Sequence, residues 1–179
     1  NISPLVNTNF KHSESQVNFD ITKVQDSTCW LPDATNLVIA NGNFIQAVSD
    51  QVPDTTKIHV ESISSAIKSK NHSIKQHLAK YAGVGLGLPT NETTTSGSHS
   101  FSAFTALNTA CLPQGLVISI APNHEEPVPI NMIFISTNLP DPFLTHPRLL
   151  ILAGENSKST IIESFCGLSE NTYFTNYVS

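Results

Sequence analysis

Residues 149–179 read LLILAGENSKSTIIESFCGLSENTYFTNYVS. Short apolar runs centred on Ile151, Ile162 and Thr175 are separated by segments of Gly, Asn, Ser and Glu, with Gly154-Glu155-Asn156-Ser157 the clearest turn. Runs of this length, rich in β-branched and aromatic residues and bounded by turn formers, read as strands rather than helices. Upstream the same texture continues to Gly115, giving LVISI around Ile118 and NMIFIS around Ile133. The connecting segments APNHEEPVP (121–129), TNLPDPFLTHP (137–147) and GENSKS (154–159) hold too few residues and too many prolines for crossover helices. Two arrangements fit: an antiparallel meander or sandwich, or a parallel solenoid with one strand per face and turns at the corners. LVISI and NMIFIS carry apolar residues on both faces, Val117 beside Ile118 and Ile133 beside Phe134. Such strands are covered on both sides, which a solvated hairpin would not be.

The N-terminal half differs. NLVIANGNFIQAVS (36–49) places two apolar runs around Asn41-Gly42, a dipeptide that tolerates the positive φ angles of a tight hairpin. IHV (58–60) reads as a further short strand. Between Ser62 and Ala82, Ile63, Ile67, Ile74, Leu78 and Tyr81 recur near helical period, and Gly83 stands where a left-handed cap belongs, so one or two helices are expected. GVGLGLP (83–89) follows a helix instead of a strand, the reverse of a dinucleotide fingerprint. TNETTTSGSHS (90–100) is a polar loop, and FSAFTALNTA (101–110) a short helix with Phe101, Phe104, Ala106 and Leu107 on one face.

Composition narrows the functional classes. Hydrophobic residues make up 39% of the 179 and charged residues 13%, with net charge −5 and nine Lys plus Arg. No basic run is present to neutralise phosphates, which argues against nucleic-acid binding. No apolar run is long enough to span a bilayer, so a membrane partner is not expected. Cys29, Cys111 and Cys166 are odd in number and far apart, offering neither a disulfide framework nor a C-x-x-C clamp, and read as reduced, buried thiols in a cytosol-like compartment. The sequons at Asn71 and Asn91 read as chance in an Asn/Ser/Thr-rich chain.

Five blocks carry a family resemblance: NGNFIQAVSD (41–50), FTALNTACLPQGLVISIAPN (104–123), PVPINMIFISTN (127–138), HPRLLILAGENSKSTIIESFCG (146–167) and TYFTNYV (172–178). Their order and spacing over nearly the whole chain resemble SufD, in the SufB/SufD family of the SUF iron-sulfur cluster assembly system; SufB shares the later blocks but resembles the NGNF region less. The resemblance implies a mainly β protein with α elements. The first rungs of a right-handed parallel β-helix would occupy 101–179, after a small α/β region at 1–100 (hairpin near 36–49, helix near 62–82, polar loop 90–100). It also implies that the chain is a fragment comprising the N-terminal and early β-helix part. The implied role is a non-catalytic scaffold subunit that supports cluster biogenesis and iron acquisition. Its partners would be a SufB homologue, through the β-helix, and the ATPase SufC, through a C-terminal domain outside this chain. The iron-sulfur cluster would be handled by the full complex, with no cofactor bound by this stretch, in bacterial cytoplasm or plastid stroma. The histidine and cysteine positions implicated in that role lie beyond Ser179, so no catalytic, cofactor or metal residue is carried over.

The residues themselves offer weaker candidates. Cys166, beside Gly167 at a strand end, is a thiolate donor without a second cysteine near it in sequence, and Cys111 beside Leu112-Pro113 reads as a small apolar filler. His124, Glu125 and Glu126 are mixed ligands in one turn, but adjacent residues point apart, so they read as solvated; His99 has no partner in its loop. His146 before Pro147 reads as a corner residue. The competing reading is a polysaccharide-active β-helix enzyme or carbohydrate-binding module using Glu155 and Glu163. It needs a cleft with basic and aromatic side chains, whereas Arg148 is the one arginine and Trp30 is remote in sequence.

Overall fold

The computed structural model describes residues 9–12, 19–70, 72–78, 103–112, 114–137, 139–168, 173–175 and 177. Asn41 and Gly42 take φ of 46° and 83°, closing the expected hairpin between β2 (Thr35–Ala40) and β3 (Asn43–Phe44). The second arm is shorter than the sequence implied, because the chain turns into a 3-10 segment at Gln46–Val48. β4 (Ile58–Ser62) follows, and Ser62 Oγ accepts from Ser65 N to cap α2 (Ile63–Lys68). A second short helix, α3 (His72–His77), continues the periodic stretch. Ahead of these lie β1 (Lys11–His12) and α1 (Thr22–Gln25). Gly83, GVGLGLP, the 90–100 loop with His99, and both sequon asparagines lie outside the described residues.

α4 (Ala103–Ala110) forms where a helix was expected, but its packing differs. Phe104 and Leu107 remain 47% and 41% exposed, while Asn108 is fully buried and donates to the Pro147 carbonyl at 3.0 Å. Beyond it run β5 (Gly115–Ile120), β6 (Ile130–Ser136), β7 (Phe143–Thr145), β8 (Arg148–Ala153), β9 (Ile161–Gly167) and β10 (Tyr173–Thr175). β7 is new: a three-residue strand inside a proline-rich segment read as a turn.

These six strands pair in parallel and skip two, β5 with β8, β6 with β9 and β7 with β10. That excludes the antiparallel meander. The paired positions Gly115 and Arg148, Ile130 and Ile161, and Phe143 and Tyr173 all lie about thirty residues apart, so every partner is met after one similar circuit of chain. Two of the ladders also recruit the N-terminal half in parallel, β2 beside β6 and β1 beside β7, and β4 joins the third, antiparallel to β5. The result is a mixed α/β structure dominated by strand.

Alternation along the strands assigns an inside and an outside. Leu37 and Ile39 of β2, Leu116, Ile118 and Ile120 of β5, Ile130, Met132 and Phe134 of β6 and Leu149 of β8 share one buried cluster. The opposite faces are covered separately. Val38, Ala40, Ile133 and Ile135 lie under Val24 of α1 with Phe19, Ile21, Cys29 and Trp30, and Val117 lies under Ile63, Ala66 and Ile74 of α2 and α3. This accounts for the two-sided apolar text of LVISI and NMIFIS.

Gly115 shows how closely successive circuits approach. Its φ is +108°, and a Cβ there would stand 1.9 Å from the Arg148 carbonyl oxygen. Only glycine satisfies both conditions.

Candidate functional site

The outer face of the β2-β6-β9 ladder carries a buried polar line among its aliphatic neighbours. Asn36 and Asn131 are in register, 1% and 0% exposed. Asn131 Nδ2 donates to Asn36 Oδ1 and to the Cys29 carbonyl, both at 2.8 Å, and Asn131 Oδ1 accepts from Ser164 Oγ at 2.9 Å. Asn36 in turn donates to the Leu31 and Ala34 carbonyls and accepts from Leu31 N. These bonds fix the loop after α1 against the wall, and Ser27 Oγ, accepting from Cys29 N at 3.2 Å, sets its turn.

The loop thereby delivers Cys29 to Cys166. The Cys29 thiol donates to the Phe165 carbonyl at 3.8 Å, next to Cys166 in sequence. Both side chains pack against the same aliphatic wall, and both are half-buried. Burial first, then the neighbouring Cys29 thiol, pushes Cys166 up to about 12. Cys111, just past α4, is half-buried, and desolvation alone raises its pKa.

The acidic turn is less solvated than the sequence implied. Glu126 is 6% exposed, contacts His124 Nε2 at 3.3 Å and accepts from Val128 N at 3.1 Å. Glu125 points away and pairs with Lys158 of the next circuit at 2.6 Å, in the open, and the pairing lowers the pKa of Glu125 and raises that of Lys158. Among the described residues no group of three or more His, Cys, Asp or Glu side chains converges for a metal ion.

His146 is buried, and its backbone N–H donates to Gln114 Oε1 at 2.6 Å. Arg148 is also buried, with Nε on Asn108 Oδ1 at 2.9 Å and Nη2 on Thr109 Oγ1 at 2.7 Å, and desolvation lowers its pKa. It fastens α4 to the wall. Glu155 is exposed in the turn after β8, its carbonyl accepting from Asn123 N, whereas Glu163 lies within β9 and accepts from Tyr177 Oη at 2.7 Å. Trp30 packs on the outer wall behind Cys29. Arg148 and Trp30, the residues a sugar cleft would draw on, are thus engaged in packing.

Among the described residues, two cavities open to solvent stand out. One, of about 130 Å³, is bordered by Ile39, Phe134, Thr145, Pro147, Phe165 and Thr175. Phe134 and Phe165 stack beside it with centroids 4.8 Å apart, and Tyr177 stands 4.7 Å from Phe134. The other, of about 650 Å³, lies along α2 and α3 between Ile67, Lys70, Lys75, Leu78 and Leu112. Neither gathers an acid-base pair.

Among the described residues no helix is long and apolar enough to cross a membrane. No protein-family model matches the chain. A search of curated proteins finds similarity to an iron-sulfur cluster assembly SufBD family protein of Synechocystis sp., 29% identical over 174 residues. The aligned region covers 92% of this chain and 34% of that relative, so the chain spans about a third of the relative's length. The similarity points to the SufB/SufD family as a whole, without singling out SufD.

Proposed function

We propose that this chain is a SufD-like scaffold segment of a SUF-type assembly complex, working by protein-protein organisation and not by catalysis. Its strand ladders are the opening circuits of a right-handed parallel β-helix, which pairs with a SufB homologue. The ATPase SufC engages a part of the protein outside this chain. The iron-sulfur cluster is cargo of the whole complex, and the setting is bacterial cytoplasm or plastid stroma. The observation that carries this reading is the repeated circuit: parallel partners after about thirty residues in each of three ladders, in a chain similar to a SufBD family protein along 92% of its length.

A solenoid of this kind acts through its walls and edges. Main-chain groups on an outer circuit are positioned to pair with another strand, and side chains on the walls set which partner fits. The test is anaerobic co-expression of the full-length protein with the SufB and SufC homologues of its own organism, affinity capture through a tag on this subunit, and native mass determination. A stable assembly containing all three is the expected result. Capture of neither homologue would overturn the scaffold role and return attention to Glu155 and Glu163.

A further inference from the structure

We propose that Cys29 and Cys166 form a reversible intramolecular disulfide, a redox modification site that ties the segment covering the outer wall to strand β9. Sequence alone gives no reason to pair them, since 136 residues separate Cys29 from Phe165. The fold brings them together through two independent constraints. Asn131 holds the Cys29 carbonyl, and the parallel register puts Cys166 beside Ile135 on the outward face. Cys29 Sγ lies 3.8 Å from the carbonyl of Phe165, the residue before Cys166, and both thiols pack on the same outer wall within reach of solvent. Two half-exposed thiols on one face admit a small oxidant, and their shared packing places them for bond formation.

With a peroxide as oxidant the step balances. The Cys29 sulfur attacks one peroxide oxygen, giving Cys29 sulfenic acid and one water. The Cys166 sulfur then displaces the sulfenic oxygen as a second water, losing its proton and forming the S–S bond, so two thiols are oxidised by two electrons and one peroxide is reduced. Cys166 takes the second role because the register holds it on the outer wall beside Cys29. A dithiol reductant reverses the bond by exchange. The proposal stands apart from the scaffold reading, because it concerns contacts within this chain.

The test uses the full-length protein, exposed to a small molar excess of hydrogen peroxide, quenched, alkylated with iodoacetamide, digested and mapped by mass spectrometry. The Cys29 and Cys166 peptides are expected as one cross-linked species that dithiothreitol releases, with Cys111 alkylated. Cys111→Ser should retain the cross-link, and Cys29→Ser and Cys166→Ser should each abolish it. The oxidised wild type should melt about 5 °C or more above the reduced form, a shift absent in Cys166→Ser. Independent alkylation of Cys29 and Cys166, under conditions that fully oxidise a dithiol standard, would overturn the site. A cross-link that leaves Tm unchanged would overturn the tie to β9.

Discussion

Asn131→Ala tests whether the buried amide line, and not aliphatic packing alone, holds the covering segment on its wall. The side chain is fully buried and makes three hydrogen bonds, two donated and one accepted. Asn36 Oδ1 keeps a donor in Leu31 N after truncation, so its share of the loss is small. The Cys29 carbonyl and the Ser164 hydroxyl lose the amide they bond, and a buried polar group left unmet costs about 1–3 kcal/mol. Adding the void left by the amide, the expected loss is about 3–4 kcal/mol, or roughly 6–16 °C in Tm for a domain of this size. Ser164→Ala removes only one of the three bonds and should cost about 1 kcal/mol. Urea unfolding of both variants and of the Asn36→Ala/Asn131→Ala cycle measures this, with a coupling of about 1 kcal/mol or more between the two asparagines. A loss below about 1 kcal/mol for Asn131→Ala, or additive effects in the cycle, would refute the reasoning.

Gly115→Ala should cost more than about 3 kcal/mol, since the new Cβ meets the Arg148 carbonyl and the backbone stays at positive φ; an unchanged urea midpoint would contradict the close approach. Lys158→Ala should raise the Glu125 pKa back towards 4.5, followed by carboxyl NMR titration. The pair's contribution is present above that ordinary value, fades as pH falls through the lowered Glu125 pKa, and fades again as pH rises through the raised Lys158 pKa. Being fully exposed, it should also weaken with added salt. At pH 8, Cys166 in the reduced protein should alkylate more than about 100-fold slower than a free thiol, and Cys29→Ser should speed it, because a contact that keeps Cys166 protonated is gone; equal rates in the two proteins would count against that contact.

Much of the fold was legible because strand text is local. LVISI, NMIFIS, LLILA and TIIESF each became a strand, and Asn41-Gly42 closed its turn, since β-branched runs and positive-φ dipeptides specify their own conformation. β7 was hidden because Phe143–Thr145 is only three residues long among the three prolines of its segment, and it exists through pairing with β10 and β1. The facing of α4 was hidden for a related reason. Its apolar residues suggested Phe104 and Leu107 as the anchor, but Arg148 on the wall requires acceptors, and Asn108 and Thr109 supply them. A buried guanidinium without hydrogen bonds costs more than two half-exposed apolar side chains, so the helix presents its polar residues inward.

The same logic explains why the candidate site was the least legible part. In a parallel ladder, spatial neighbours are set by register, and register is decided by which residues must share an interior. Placing Leu37, Met132 and Ile130 on the inside sends Asn36, Asn131 and Ile133 outward, and in β9 it sends Ser164 and Cys166 outward with them. Cys166 therefore faces the cover because Ile161 and Phe165 take the opposite face of β9, not because of anything in its own surroundings in sequence. Cys29 arrives by the other route, through a loop whose position follows from two buried amides needing carbonyl partners. A one-residue slip of β9 would turn Cys166 inside and put Phe165 on the outer wall, breaking the Phe134–Phe165 stack at the same time. Packing inside and thiol contact outside are thus fixed by one register, and a mutation such as Phe165→Ser that loosens the stack should also lower the yield of the Cys29–Cys166 cross-link.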